Sequence, residues 1–341
     1  MNFINTLVSI LIPLALISVL VLVHEFGHFI VARKNGVLVH EFSLGMGPKI
    51  YGIQKGEILY AIRAFPIGGF VRMEGEDELS DDPRAFNKKT PLQRIAVIFA
   101  GPFMNFIFAF VVYLIITAIS LVPVTTIYKT MDNMPIKTAG LRPGDTIVAI
   151  NGNKMNLQED ISFEVSFVNK SKKLDLTYSR NGVEKTINIK PKYVDGSYKL
   201  GYIPKYRRLN IIDNVVYSFR KLLYDGKLVF VGLKYMVTGK VTLKQIAGPV
   251  GMGKMTNDVA KSSGFIGVVV FGAFLSLNLG LMNLLPIPAL DGSRILFLFV
   301  ELLRGKPVDQ EKEAMVHFAG FVLLMIFMVV VTFSDISKFF K

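Results

Sequence analysis

The sequence predicts an α-helical polytopic membrane protein with four transmembrane helices, a membrane-associated β-hairpin region and one inserted β-rich domain. Three observations predict it. The 341 residues are 51% hydrophobic and only 19% charged, with a mean hydropathy of +0.45, which excludes both a disordered chain and an ordinary soluble globule. Four runs (residues 3–23, 95–122, 264–290 and 314–333) contain no Asp, Glu, Lys or Arg. Each approaches or exceeds the roughly 20 helical residues needed to cross a hydrocarbon core about 30 Å thick. Between the second and third runs lies the one segment whose apolar residues alternate as in strands and are punctuated by turns.

In chain order, 1–33 is expected to be the first transmembrane helix. It lacks a basic start, and His24-Glu25-Phe26-Gly27-His28 stands where a signal peptide would carry its small-residue cleavage site, so the helix is expected to be retained. Residues 34–93 form a region with glycines at 45, 47, 52, 56, 68 and 69 and strand-like pieces at Glu57 to Ile62 and Phe70 to Met73. A hairpin dipping into the bilayer fits it better than a solvated linker, provided its backbone groups are bonded internally or line a cavity. Residues 94–123 make the second helix and 124–206 the β-rich domain, with Thr146 to Ile150, Leu174 to Thr177 and Thr186 to Ile189 as strands and Asn151-Gly152 as a turn.

The 207–262 region begins with Ile211, Ile212, Val215, Val216, Phe219, Leu222 and Leu223 at helical spacing, opposite Asp213, Asn214, Arg220 and Lys221. Such an amphipathic helix suits the membrane interface and suits packing on the β-domain equally well. The third helix is expected at 263–303, and a loop with the fourth at 304–341.

Charge orients these spans. Lys and Arg number 39 against 26 acidic residues, a net +13. None precedes Arg33, ten fall in residues 33–94, and four fall in 291–313. Short basic loops stay inside, so these two are expected in the cytoplasm and both termini outside it. The 123–263 stretch is basic too, but it is too long for that rule. Its charge suits anionic lipid or acidic peptide, and no nucleic-acid partner is expected. With no cysteine, any zinc must rest on His and carboxylate.

The chemistry concentrates at helix ends. HExxH on a helix puts His24 and His28 on one face about 6 Å apart along the axis, with Glu25 beside them as a base for metal-bound water. The same trio could merely cap a helix at the interface, but ionisable groups at the end of a span mark function by default. Two histidines are one ligand short. Asp291 stands at the end of the third apolar run in Asn283-Leu284-Leu285-Pro286-Ile287-Pro288-Ala289-Leu290-Asp291-Gly292, where two prolines must break the helix. By the charge-derived orientation it meets the histidines at one depth. A plain interface carboxylate is the bland alternative.

These motifs together resemble the site-2 protease family of zinc intramembrane proteases, in the bacterial branch that cuts anti-sigma factors and remnant signal peptides. Ala139-Gly140-Leu141-Arg142-Pro143-Gly144-Asp145 and Leu200-Gly201-Tyr202-Ile203 resemble bacterial PDZ domains and their peptide-binding loop. The resemblance implies one Zn2+ on His24, His28 and Asp291, Glu25 as the catalytic acid/base, and Asn283 as a substrate-binding residue beside the metal. Gly101-Pro102-Phe103-Met104-Asn105 is similar to the family's GxxxN element, with Asn105 facing the active-site cavity as a second substrate-binding residue, and the 50–73 stretch matches its β-hairpin. Read from the residues alone, both asparagines could instead pair helices.

The resemblance further implies a bacterial cytoplasmic membrane, an active site near the cytoplasmic leaflet, an extracytoplasmic PDZ domain that takes peptide tails, and single-span membrane proteins as substrates. Ser293 replaces a second glycine often found after LDG, and one PDZ domain stands where proteobacterial relatives tend to have two. A membrane-anchored adaptor with a structural metal is the rival reading, opposed by Glu25, which such a site would not need. A zinc-dependent transporter is a second rival, opposed by the lack of repeated spans. His317 could relay protons or simply be packed, and His40 reads as a loop residue.

Overall fold

The computed structural model describes residues 3–76, 78–166, 173–240, 245 and 247–338. Parts of the expected β-domain (167–172) and amphipathic region (241–244 and 246) therefore lie outside the described residues. The chain forms two compact units, Met1–Val112 with Asp225–Lys341 and Tyr113–Tyr224, and each is treated by itself.

Eight helices are described: α1 (Phe3–Lys34), α2 (Pro91–Ile119), α3 (Pro135–Thr138), α4 (Gln158–Ser166), α5 (Ile211–Val237), α6 (Pro249–Asn283), α7 (Asp291–Arg304) and α8 (Gln310–Ser337). Among the described residues, four segments are long and apolar enough to cross a membrane: Leu7–Lys34, Pro91–Ile119, Pro249–Asn283 and Glu311–Ser337. The third differs from the expected 263–303. It begins earlier, passes Gly264 at φ 63°, and ends at Asn283. Pro286 and Pro288 then hold residues 284–290 out of helix, and α7 starts afresh at Asp291, whose charge suits a helix N-terminus.

In the first unit, β1 (Val39–Lys55) and β2 (Ile58–Met73) form a hairpin longer than the 50–73 stretch. It folds back on itself. Residues 39–44 pair on one side with 69–73 and on the other with 59–62, while 51–55 pair with 58–62. Segment 69–73 is thus an outer edge. Gly45 (φ 85°) and Gly68 (φ 82°) supply left-handed backbone where the strands bend. The start of the hairpin packs Val39, Ile58, Val71 and Met73 with Phe29, Ala32, Val97 and Ile98, tying it to α1 and α2. His40, expected in a loop, lies in β1 with Nε2 at 2.6 Å from Glu74 Oε2.

The second unit holds β3 (Val122–Thr130), β4 (Thr146–Ile150), β5 (Asn153–Lys154), β6 (Leu174–Arg180), β7 (Val183–Ile189), β8 (Lys192–Val194), β9 (Ser197–Lys199) and β10 (Tyr202–Arg207). The main sheet runs β10-β3-β4-β6-β7, with β5 paired to β4. Alternation seals its core: Ile127, Ile147, Ile150, Leu174 and Leu176 are buried with Ile136 and Ile161 of the flanking helices. Asn151 and Gly152, both at positive φ (51° and 79°), make the tight turn from β4 to β5.

Candidate metal and active site

The site is built where α1, α2 and the start of α7 meet inside the first unit. Their close approach requires glycines. A Cβ on Gly27 of the HEFGH turn would strike the carbonyl of Ala100, and one on Gly101 would strike the imidazole of His28 and stand 2.9 Å from His24 Cε1. Gly292 lies so near the carbonyls of Leu284 and Leu285 that no side chain fits, which explains the glycine after Leu290-Asp291.

His24 and His28 are buried, with Nε2 atoms 3.2 Å apart. Asp291 Oδ2 is 3.1 Å from His24 Nε2 and 3.5 Å from His28 Nε2. Among the described residues this trio is the group of His and carboxylate side chains whose ligand atoms converge. Donors about 2.0–2.2 Å from a tetrahedral zinc stand roughly 3.3–3.6 Å from one another, so the spacing is that of three ligands around one ion. Two further observations agree. Asp291 Oδ2 is buried with no partner in hydrogen-bond geometry. His28 Nδ1 lies 2.9 Å from the Val97 carbonyl, which can only accept, so Nδ1 carries the proton and Nε2 is left with its lone pair for a metal.

Asn105 is where the structure departs from the sequence. It was expected to face the cavity, yet it is fully buried and its amide reaches 3.1 Å to His24 Nδ1, on the far side of the ring from the metal ligands. Ser276 of α6, unsuspected from the sequence, donates to the Asn105 carbonyl at 3.0 Å and lies 3.4 Å from its Oδ1. Of the two amide orientations, the one with Oδ1 toward Nδ1–H leaves His24 Nε2 free to ligate, matching the arrangement at His28. Asn283 Nδ2, by contrast, is 3.5 Å from His24 Nε2, on the ligand side of the ring.

A cavity of about 680 Å³ opens beside the trio. His24, Glu25, His28 and Asp291 line it, with Phe70 to Met73 of the hairpin edge on one wall and His317, Phe318 and Phe321 of α8 on another. Ala289 holds φ 76°, a strained conformation for a residue with a side chain, and its N–H donates to His317 Nδ1 at 3.1 Å. This bond ties the proline-broken segment before Asp291 to α8. On the cavity wall Arg294 Nη1 bonds Glu76 Oε1 at 2.6 Å.

The family model for peptidase family M50 matches residues 12–327. The chain belongs to this family, the site-2 proteases. Full-length relatives agree. A protein of Clostridium acetobutylicum provisionally named a zinc metalloprotease is 42% identical over 98% of both chains. The regulator of sigma-W protease RasP of Bacillus subtilis is 33% identical over 99% of this chain and all of its own. The zinc metalloprotease RasP of Geobacillus kaustophilus is 32% identical over the same shares. The PDZ domain of an SdrC-like protein from Listeria monocytogenes is 18% identical, covers 25% of this chain and 90% of its own, and has a TM-score of 0.22, a likeness too slight to carry an argument. As an M50 peptidase the protein is a membrane zinc metalloprotease, and its converged His-His-Asp group suits the zinc that the family uses.

Proposed function

We propose that this M50 peptidase hydrolyses peptide bonds within the transmembrane segments of single-span proteins, such as anti-sigma factors or remnant signal peptides, in regulated intramembrane proteolysis. The observation that carries the reading is the union, in one cavity, of a three-ligand cluster, an adjacent glutamate and the outer edge of a β-hairpin. The RasP name of the Bacillus subtilis relative supports the regulatory class of substrate.

His24, His28 and Asp291 hold the zinc. Bound there, zinc supplies Lewis acidity to a scissile carbonyl and acidity to water. Glu25 takes the proton of the attacking water and returns it to the leaving amine. A helical substrate hides its carbonyls in its own hydrogen bonds, so it must unwind first. Segment 69–73 offers the unwound strand an edge for β-addition, and Asn283 holds the substrate backbone beside the ligands. The basic 33–94 and 291–313 loops support a cytoplasmic mouth through which water enters, both termini outside the cytoplasm, and an extracytoplasmic β-domain. That domain acts as a PDZ module, taking peptide tails along the free edge of β10.

The test is Glu25→Gln in the purified full-length protein. Zinc content is expected to be unchanged while cleavage of a helical membrane substrate falls by about 10²–10⁴-fold, the usual worth of a general base. Undiminished cleavage would refute the mechanism.

A further inference from the structure

Helix α5 is amphipathic the wrong way round for a helix on a soluble domain. In its first half, within the second unit, the residues facing inward are polar: Asn214 and Ser218 are buried, Ser218 completely. The residues facing outward are Ile212, Val215, Val216, Phe219 and Leu223, one stripe at i, i+3, i+4, i+7 and i+11. Ile212 is 77% exposed, Phe219 52% and Leu223 58%. In water the outward apolar stripe would be costly.

What the polar face touches fixes where the helix lies. Thr117, within the last turn of the apolar span Pro91–Ile119, bonds Asn214 Oδ1 and lies 3.0 Å from Ser218 Oγ. Asn214 Nδ2 donates to the Leu114 carbonyl at 3.0 Å, and Lys221 Nζ sits 5.8 Å from the Tyr113 ring centre. The start of α5 is therefore bonded side by side to the final two turns of a bilayer-crossing helix, at the depth of those turns. A third side holds the β-domain: Tyr224 Oη donates to the Glu159 carbonyl at 3.3 Å, Lys221 Nζ is 3.8 Å from Glu159 Oε1, and Tyr224 meets Phe163 edge to face at 6.4 Å. Near the ends of both helices Ile119, Leu121 and Tyr206 are exposed, as are Arg208 and Arg220, while Arg207 pairs with Asp213 at 3.0 Å.

We infer that residues 211–224 are immersed in the headgroup and upper acyl region of the bilayer, with the outward stripe against lipid and the flanking arginines on anionic headgroups, and that α5 so clamps the β-domain to the membrane surface. The occupant is lipid rather than a second protein, because the stripe continues the apolar girdle of a span end and is rimmed by cationic side chains. This goes beyond the proteolytic reading and does not depend on it.

The chain has no cysteine and no tryptophan, so either one introduced is a unique reporter. Full-length Phe219→Cys, carrying an environment-sensitive fluorophore, is placed in nanodiscs of equal parts phosphatidylglycerol and phosphatidylethanolamine, with Val183→Cys on exposed β7 as the aqueous control. Lipids bearing a doxyl quencher just beneath the headgroup are expected to quench Phe219→Cys at least about twofold more than the control. Phe219→Trp with brominated lipids repeats the test should the labelled variant misfold. Quenching no greater than the control overturns the inference. So does a blue-shifted reporter that lipid quenchers cannot reach, which would assign the stripe to a second copy or another protein.

Discussion

Two aspartates, Asp145 buried and Asp291 half-buried, teach opposite lessons. Asp145 of the β-domain is fully satisfied: Arg180 donates from Nε to Oδ1 and from Nη2 to Oδ2, both at 2.7 Å, and the Arg142 N–H donates to Oδ2 at 2.8 Å. Asp291 lies against two imidazole nitrogens, and its buried Oδ2 has no hydrogen bond. The first carboxylate is finished within the protein and serves to tie a turn to β6. The second would be completed by the ion proposed for this site. A buried carboxylate oxygen without a hydrogen bond is costly, a demand that zinc on the proposed ligands would meet.

The comparison breaks most sharply at Gly101. Gly101→Ala puts a methyl into both metal-ligating rings, and is expected to abolish stoichiometric zinc retention while leaving hydrogen-exchange protection of β6 and β7 intact. Loss of protection in the β-domain would mean the two aspartate sites are not separable.

A milder change sharpens it. Asn105→Ala removes the partner of His24 Nδ1 without touching a ligand atom, and is expected to weaken zinc affinity roughly 10–100-fold, measured by competition with a chelator. A substrate-binding role would instead raise KM and leave metal affinity unchanged.

On the other side, Asp145→Asn keeps the shape but leaves Arg180 without its charge partner. Arg180 is partly exposed, so the expected cost is modest, read as faster exchange across residues 174–189, with zinc content unaffected.

The smallest effect is in pH. Burial pushes the Asp145 carboxyl up, but the Arg180 guanidinium and the Arg142 N–H outweigh it and hold it below the ordinary carboxylate range. A depressed folded value means that stability from this group is present above the unfolded value near 4 and is lost as pH falls through the folded one. Protection of the β-domain should be flat from pH 7 to about pH 5 on this account and fall only below about pH 4, and Asp145→Asn should remove that acid dependence.

The convergence of the three candidate ligands is legible in the sequence because each carries its own local mark: HExxH spacing for His24 and His28, a proline-broken helix for Asp291. The strands of the β-domain are legible from their alternation and their Asn-Gly turn. What it hides are contacts without local signature. Ser276 looks like any small residue in an apolar helix, and only tertiary packing puts it on Asn105. The contact of Asn105 with His24 was hidden as well, because a polar residue in a span announces importance but not direction. The hairpin's double pairing was hidden too, since a strand that partners two segments reads like one that partners a single segment. The inside-out character of α5 was ambiguous for a related reason: periodicity reveals two faces but not which one is buried.

On the proposed reading one ion binds between His24, His28 and Asp291. X-ray absorption at the zinc edge of the full-length protein tests it most directly, alongside metal content of Asp291→Ala. Stoichiometric zinc with nitrogen and oxygen neighbours near 2.0–2.2 Å is expected, and loss of that signal in the variant. Zinc bound equally well without Asp291 would contradict it.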